Sequence, residues 1–150
     1  SLTYFHDEVG YNYRLVNVLA ALGVAQLEQL DSFIASKTNT ASYYKDNLKG
    51  FGDIGFQLVH DNVEPNEWLF TITTASMQEL LDYLNTNGVM SRPFWIPMNQ
   101  LPMYSNKIYI NLNDVSASVH SSALSIPCST NIVENDLQKV VSTIKSFFYG

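Results

Sequence analysis

From Leu15 to about Lys49 the chain carries no proline and a single glycine, Gly23. Through this stretch apolar residues recur at helical spacing: Leu15, Val18, Leu19, Leu22, then Leu27, Leu30, Phe33 and Ile34. The spacing predicts one long helix or two in series. It ends where Gly50, Gly52 and Gly55 crowd together, the pattern of a helix C-terminus and the turn after it.

The remainder reads as short strands and short helices. Phe56 to His60 and Trp68 to Thr74 are rich in apolar, aromatic and β-branched residues and are separated by the turn-forming Asp61-Asn62 and Pro65-Asn66, which predicts two antiparallel strands. Ser76, with Glu79 three residues on, predicts a capping box at the start of a helix that Gly88 ends. Val89 to Trp95 is a third strand candidate. Pro97 to Tyr109 reads as a loop, Asn113 to Ala123 as a short helix, and Leu124 to Pro127 as an inner strand. A last helix, about Glu134 to Phe148, sets Leu137, Val140, Val141, Ile144 and Phe148 on one face. The expected fold class is α+β: a long helix and a three- or four-stranded, mostly antiparallel sheet with helices on one face.

A chain of 150 residues that is 46% hydrophobic and 15% charged can bury a real core. Its net charge of −6 has the wrong sign for nucleic acid or an anionic membrane, since phosphate recognition rests on clustered lysine and arginine. No apolar run approaches the roughly 20 residues that span a bilayer. One cysteine, Cys128, and the lack of any Asn-x-Ser/Thr sequon point to a cytoplasmic protein. The opening Ser-Leu-Thr-Tyr-Phe is neither a signal peptide nor a methionine start, so the chain is expected to be cut from a longer one.

Few motifs carry chemistry. Gly50-Phe51-Gly52-Asp53-Ile54-Gly55 spells G-x-G-x-x-G, but a dinucleotide fingerprint needs a strand before it and a helix after it, and here the order is reversed. A helix stop and loop is the better reading. His6, His60 and His120 lack chelating spacing, so no metal is expected. Cys128, beside Pro127 with no cation near it in sequence, reads as a buried inert thiol. The two arginines stand out. Arg14 ends Gly10-Tyr11-Asn12-Tyr13-Arg14 and Arg92 opens Arg92-Pro93-Phe94-Trp95, so each sits among rings and small polar groups. Two readings stay open: recognition of a planar or phosphorylated anion, or stacking and pairing for structure alone.

His6-Asp7-Glu8-Val9-Gly10-Tyr11-Asn12-Tyr13-Arg14-Leu15, followed by Asn17 to Leu27, resembles the segment after the pyridoxal-phosphate lysine region in the DegT-type sugar aminotransferases. Gly88 to Pro97, Leu101-Pro102-Met103-Tyr104 and Leu124 to Pro127 before the closing helix resemble later family segments in order and spacing. The resemblance implies the C-terminal part of a fold-type I aminotransferase, an α+β piece within an α/β superfamily. Residues 1–50 would be an inter-domain segment and linker helix, and residues 51–150 the small domain. The large domain that binds pyridoxal phosphate would lie outside the chain. None of Lys37, Lys45, Lys49, Lys107, Lys139 and Lys145 falls where the family keeps its Schiff-base lysine, so no catalytic residue is expected here.

Carried over by residue, the resemblance implies that Asn12 and Arg14 reach across a homodimer to the partner's cofactor phosphate, Asn12 as an amide donor and Arg14 as a counter-charge there or on the sugar nucleotide. Tyr11 and Tyr13 in the same segment, with Arg92 and Trp95, would contact substrate. Asn99 stands where many members have a histidine, so it joins the substrate-binding candidates with its role open. The implied activity is transfer of an amino group, from glutamate, to a nucleotide-linked keto sugar for surface glycan synthesis. The rival is a stand-alone anion-binding or interaction module without catalysis.

Overall fold

The computed structural model describes Tyr11 and residues 13–149. The chain divides into two compact units, Ser1–Ser32 and Phe33–Gly150. The expected helical stretch is broken: α1 spans Asn17–Leu27 and α2, Leu30–Leu48, begins after a two-residue turn. No glycine or proline marks the break. The backbone ladder tightens there, with the Gln29 N–H bonding to the Gln26 carbonyl at 3.2 Å, three residues back instead of four. Within α1 no residue is buried. Leu15, Val18 and Leu22 are 70%, 78% and 58% exposed.

The second unit holds the core. Its sheet has β1 (Gly55–Phe56), β2 (Phe70–Thr73), β3 (Arg92–Pro93) and β4 (Ala123–Ile126), in the order β1-β2-β4-β3. Every pairing is antiparallel, with Phe70 opposite Ile126, Thr73 opposite Ala123, Gly55 opposite Thr73 and Arg92 opposite Ser125. Phe70 and Ile72 alternate inward. They meet Tyr44 and Leu48 from α2, Leu80 and Leu84 from α3 (Met77–Thr86), and Val140, Val141 and Ile144 from α5 (Glu134–Tyr149). Helix α4 spans Val115–Ser122. The architecture is α+β, as expected from the sequence. Among the described residues no single helix is long and apolar enough to cross a membrane; α1 and α2 taken together pass that test by length and composition only.

Strand lengths fall short of expectation, for identifiable reasons. Of Phe56 to His60 only Phe56 joins the sheet, because β2 starts late: Pro65 has no N–H to give, and Glu67 sits at φ 49°, off the extended path. Of Val89 to Trp95 only Arg92 and Pro93 pair, and a proline that donates nothing belongs on an edge strand. The loop after Pro97 contains two single-turn 3-10 helices, Met98–Gln100 and Pro102–Tyr104.

The start of α3 corrects the predicted capping box. Ser76 occupies the cap position but makes no side-chain cap bond. Asp53, from the glycine loop, does the work instead: one carboxylate oxygen accepts the Thr74 hydroxyl and the other the Ala75 N–H at 2.7 Å. These bonds, the Thr74 one first, hold the Asp53 carboxyl below its ordinary range. The glycines serve that turn. Gly52 lies at φ +55° with the Phe148 ring 2.7 Å from where a Cβ would stand, and a Cβ on Gly55 would meet the Thr73 hydroxyl oxygen at 2.5 Å. The G-x-G-x-x-G string is thus a structural turn, as its context predicted.

Candidate functional site

In the first unit, the Tyr11 and Tyr13 rings lie 5.9 Å apart, tilted by 36°, and are 75% and 89% exposed. Arg14 is exposed beside them. Asn12 lies outside the described residues. A guanidinium and two phenols, all exposed, form a donor set suited to an anion.

In the second unit, Arg92 is exposed on the edge strand β3. The segment after it is anchored from both sides: the Phe94 N–H donates to the Ala123 carbonyl at 3.1 Å, and His120 Nδ1 lies 2.9 Å from the Phe94 carbonyl. Trp95 projects from this anchor, 61% exposed, with the Phe94 ring edge-on at 5.3 Å. Phe94, Trp95, Ile96, Met98, Val115 and Val119 line an open cavity of about 820 Å³. Asn99, half-buried, belongs to the 3-10 turn beside it and does not line the cavity. Ser116 is the sole hydroxyl among the lining residues, and none of them titrates. Such a lining can cover the apolar surface of a ligand but offers no group to move a proton.

Four of the six lysines are engaged elsewhere. Lys37 Nζ donates to the Trp68 carbonyl at 2.9 Å, Lys45 pairs with Glu67 at 3.2 Å, and Lys145 lies over the Phe51 ring. Lys139 bonds to the Gly88 carbonyl at 3.4 Å, in a polar groove of about 320 Å³ shared with Asp136. That groove offers one cation against one carboxylate, a poor cradle for a dianion. Among the described residues no group of three or more His, Cys, Asp or Glu side chains could hold a metal.

Two contacts escape sequence reasoning. Cys128 is buried, but a cation does stand beside it: Lys37 Nζ is 3.5 Å from its sulfur, brought from α2 by the fold. Trp68 stacks on Trp95, ring centres 6.3 Å apart at 25°. Neither pair is close in sequence, so spacing could not have found it. Burial, with lesser contributions from Cys128 and Asp136, pushes the Tyr44 hydroxyl up, which keeps it a donor to the Pro127 carbonyl at 2.7 Å.

The described residues thus present an exposed apolar helix with an exposed Tyr–Arg segment before it, and an α+β unit with an apolar cavity that carries no acid or base. Comparison with known proteins places the chain in a family. The fold overlays on the crystal structure of S. venezuelae DesV in complex with a ketimine intermediate with a TM-score of 0.86, at 24% identity, covering 100% of this chain and 41% of that one. In sequence the chain is 31% identical over 150 residues to the GDP-perosamine synthase of Vibrio cholerae, spanning 97% of this chain and 41% of that protein. To the GDP-perosamine synthase of Escherichia coli O157:H7 it is 29% identical over 148 residues, spanning 97% and 40%. The profile of the DegT/DnrJ/EryC1/StrS aminotransferase family matches residues 1–145. The chain belongs to that family, and it spans about two fifths of the length of these relatives.

Proposed function

We propose that the chain is the C-terminal part of a pyridoxal-phosphate-dependent aminotransferase that moves an amino group, from glutamate, onto a nucleotide-linked keto sugar in the cytoplasm, for surface glycan synthesis. The observation that carries this reading is the family match along residues 1–145 by a chain two fifths as long as its sugar-aminating relatives. Residues 1–50 serve as inter-domain segment and linker helix, and residues 51–150 as the small domain.

The residues present fit one end of the cofactor only. The Tyr11 to Arg14 donor set suits its phosphate, whereas Lys37, Lys45, Lys139 and Lys145 are each held by a carbonyl, a carboxylate, a thiol or a ring. Pyridoxal phosphate, when bound, supplies the electron sink for transamination. What this chain supplies is binding. Asn12 gives an amide hydrogen bond and Arg14 a counter-charge to the phosphate held by the other subunit of a homodimer. Tyr11, Tyr13 and Arg92 contact the nucleotide sugar, and the Trp95 wall keeps water from its sugar end, with Asn99 close behind.

The test uses the full-length enzyme. Asn12→Ala removes a hydrogen bond to a charged group, about 1.5–3 kcal/mol, so cofactor affinity should fall about ten- to a hundredfold. Mixing Asn12→Ala subunits with subunits lacking the Schiff-base lysine should restore activity, because one site of each heterodimer then carries both defects and the other none. Heterodimers that form and stay inactive would sink the cross-subunit role.

A further inference from the structure

Among its asparagines the chain has one that precedes a glycine, Asn87 before Gly88, and the fold puts the pair at the end of α3. An asparagine side chain can react with the backbone nitrogen of the next residue, and glycine hinders this least, because no Cβ screens its nitrogen. Asn85 through Gly88 are all exposed, whereas Leu84 before them and Val89 after them are buried. The pair therefore sits on a short bridge of hydrated backbone between two anchored residues.

In the folded chain the reacting groups are held apart. Asn87 lies at φ −90° and ψ 14°. That ψ turns the Gly88 nitrogen to the far side of the Cα–C bond from the Asn87 side chain, whereas ring closure needs the two on the same side. Hydrogen bonds hold the arrangement: the Asn87 side-chain amide donates to the Tyr83 carbonyl at 2.8 Å, and the Gly88 N–H to the Asn85 carbonyl at 3.2 Å. Asn85 ties this turn to the chain beyond it, since its side chain donates to the Ser91 carbonyl at 3.2 Å and accepts the Ser91 N–H at 3.0 Å. Opening only the last turn of α3 releases both constraints, and helix ends are where opening costs least.

We infer that Asn87 is a site of spontaneous deamidation whose pace is set by opening of the last turn of α3. In the opened turn the Gly88 nitrogen, having given its proton to solvent, bonds to Asn87 Cγ; the Cγ–Nδ2 bond breaks, and Nδ2 takes up a proton and leaves as ammonia. Water then opens the cyclic imide at either carbonyl and leaves aspartate or isoaspartate at position 87. Nothing is oxidised or reduced, and water is the one co-reactant. The product fits its place less well. It has lost the amide that met the Tyr83 carbonyl, and its charge stands at the negative end of the helix. Isoaspartate also lengthens the main chain by a carbon ahead of Gly88, whose carbonyl Lys139 meets at 3.4 Å. The site rests on α3 and its turn alone and is independent of the aminotransferase reading.

The full chain, warmed in mildly alkaline buffer and then digested, reports each asparagine by a gain of about one mass unit on deamidation. In urea Asn87 should convert faster than any other asparagine; in the folded chain it should still convert, about ten- to a hundredfold more slowly. Asn85→Ala, which unties the turn from Ser91, should speed conversion in the folded chain at least about threefold. Asn85→Asp, which keeps the acceptor for the Ser91 N–H, should fall in between. Circular dichroism verifies that each variant is folded, and the urea comparison needs neither. Aged chain should melt about 2 °C below fresh chain, the effect of a misplaced charge at a helix end. The inference is overturned by another asparagine outpacing Asn87 in urea, by equal rates in urea and in the folded chain, or by a folded chain whose Asn87 outlasts the hundredfold limit. Folded Asn85 variants that convert no faster than the parent, or aged chain that melts like fresh, overturn it as well.

Discussion

Helices α1 and α5 are both written with apolar residues, yet they meet opposite fates. In α1, Asn17–Leu27, Asn17 and Gln26 are the only strongly polar side chains, and apolar groups point in every direction. None is buried. In α5, Glu134–Tyr149, charged and hydroxyl residues fill one side and Val140, Val141 and Ile144 vanish into the core on the other. Apolar content therefore does not decide burial; segregation onto one face does, because a sheet can cover one face only. A helix that is apolar all round needs more than one neighbour, and no described residue buries any part of α1 to that degree.

The largest way to break the comparison is to cut into the covered side. Ile144 is fully buried in the core cluster that also holds Tyr44, Leu80 and Ile72. Ile144→Ala should cost about 2–5 kcal/mol of unfolding free energy, the sum of lost transfer energy and the cavity left behind. Urea denaturation followed by circular dichroism measures it, and a loss under about 1 kcal/mol would mean the core closes over the gap.

Next in size is the glycine turn that links α2 to β1. Gly55→Ala puts a methyl against the Thr73 hydroxyl, its own partner in the short β1–β2 pairing. It should destabilise by about 1–3 kcal/mol, as overpacking does. Gly55→Ala combined with Thr73→Ala, which removes the obstacle, should recover much of the loss; no recovery would place the strain elsewhere.

Asp53 sharpens the same region through pH. Its carboxyl titrates lower in the folded chain than in the unfolded one, so its contribution is present above the ordinary carboxylate range and fades as pH falls through the depressed value. Asp53→Ala should cost about 0.5–2 kcal/mol at pH 7, the worth of a helix cap. Thermal melts at pH 7 and pH 2.5 should show that penalty shrinking at the acid end. A penalty that does not change with pH would mean Asp53 acts by shape and not by charge.

Much of this fold was legible in order and class, and the misses share one cause. Helical periodicity found α3 and α5 within a residue or two, and the closing apolar stripe of α5 named its buried residues. Strands were read too long because their ends depend on partners: Phe56 pairs only as far as Ile72 allows, and Pro93 can hold only an edge. The capping box failed because Asp53, more than twenty positions before Ser76, outcompeted it for the donors at the start of α3. Local chemistry singled out Arg92 and Trp95 as candidates, whereas the stacking of Trp68 on Trp95 was not legible, since it exists only after the sheet forms.

The smallest expected effect is the one that most directly tests why α1 differs from α5. Val18, Leu22 and Leu27 are 78%, 58% and 68% exposed, so replacing Leu22 removes almost no burial from the chain as it stands. Leu22→Gln, which keeps helix propensity, should shift unfolding by no more than about 0.5 kcal/mol. Association should respond far more. Covering a leucine of this kind is worth about 1.5–3 kcal/mol, and an apolar helix left in water drives chains together until something covers it. Sedimentation of the parent chain should therefore show dimers or larger species, and Leu22→Gln with Leu19→Gln should move the population toward monomer while leaving the urea midpoint in place. A parent chain that sediments as a monomer at every concentration, with the double variant indistinguishable from it, would mean that α1's apolar surface is tolerated in water and is not a surface built to be covered.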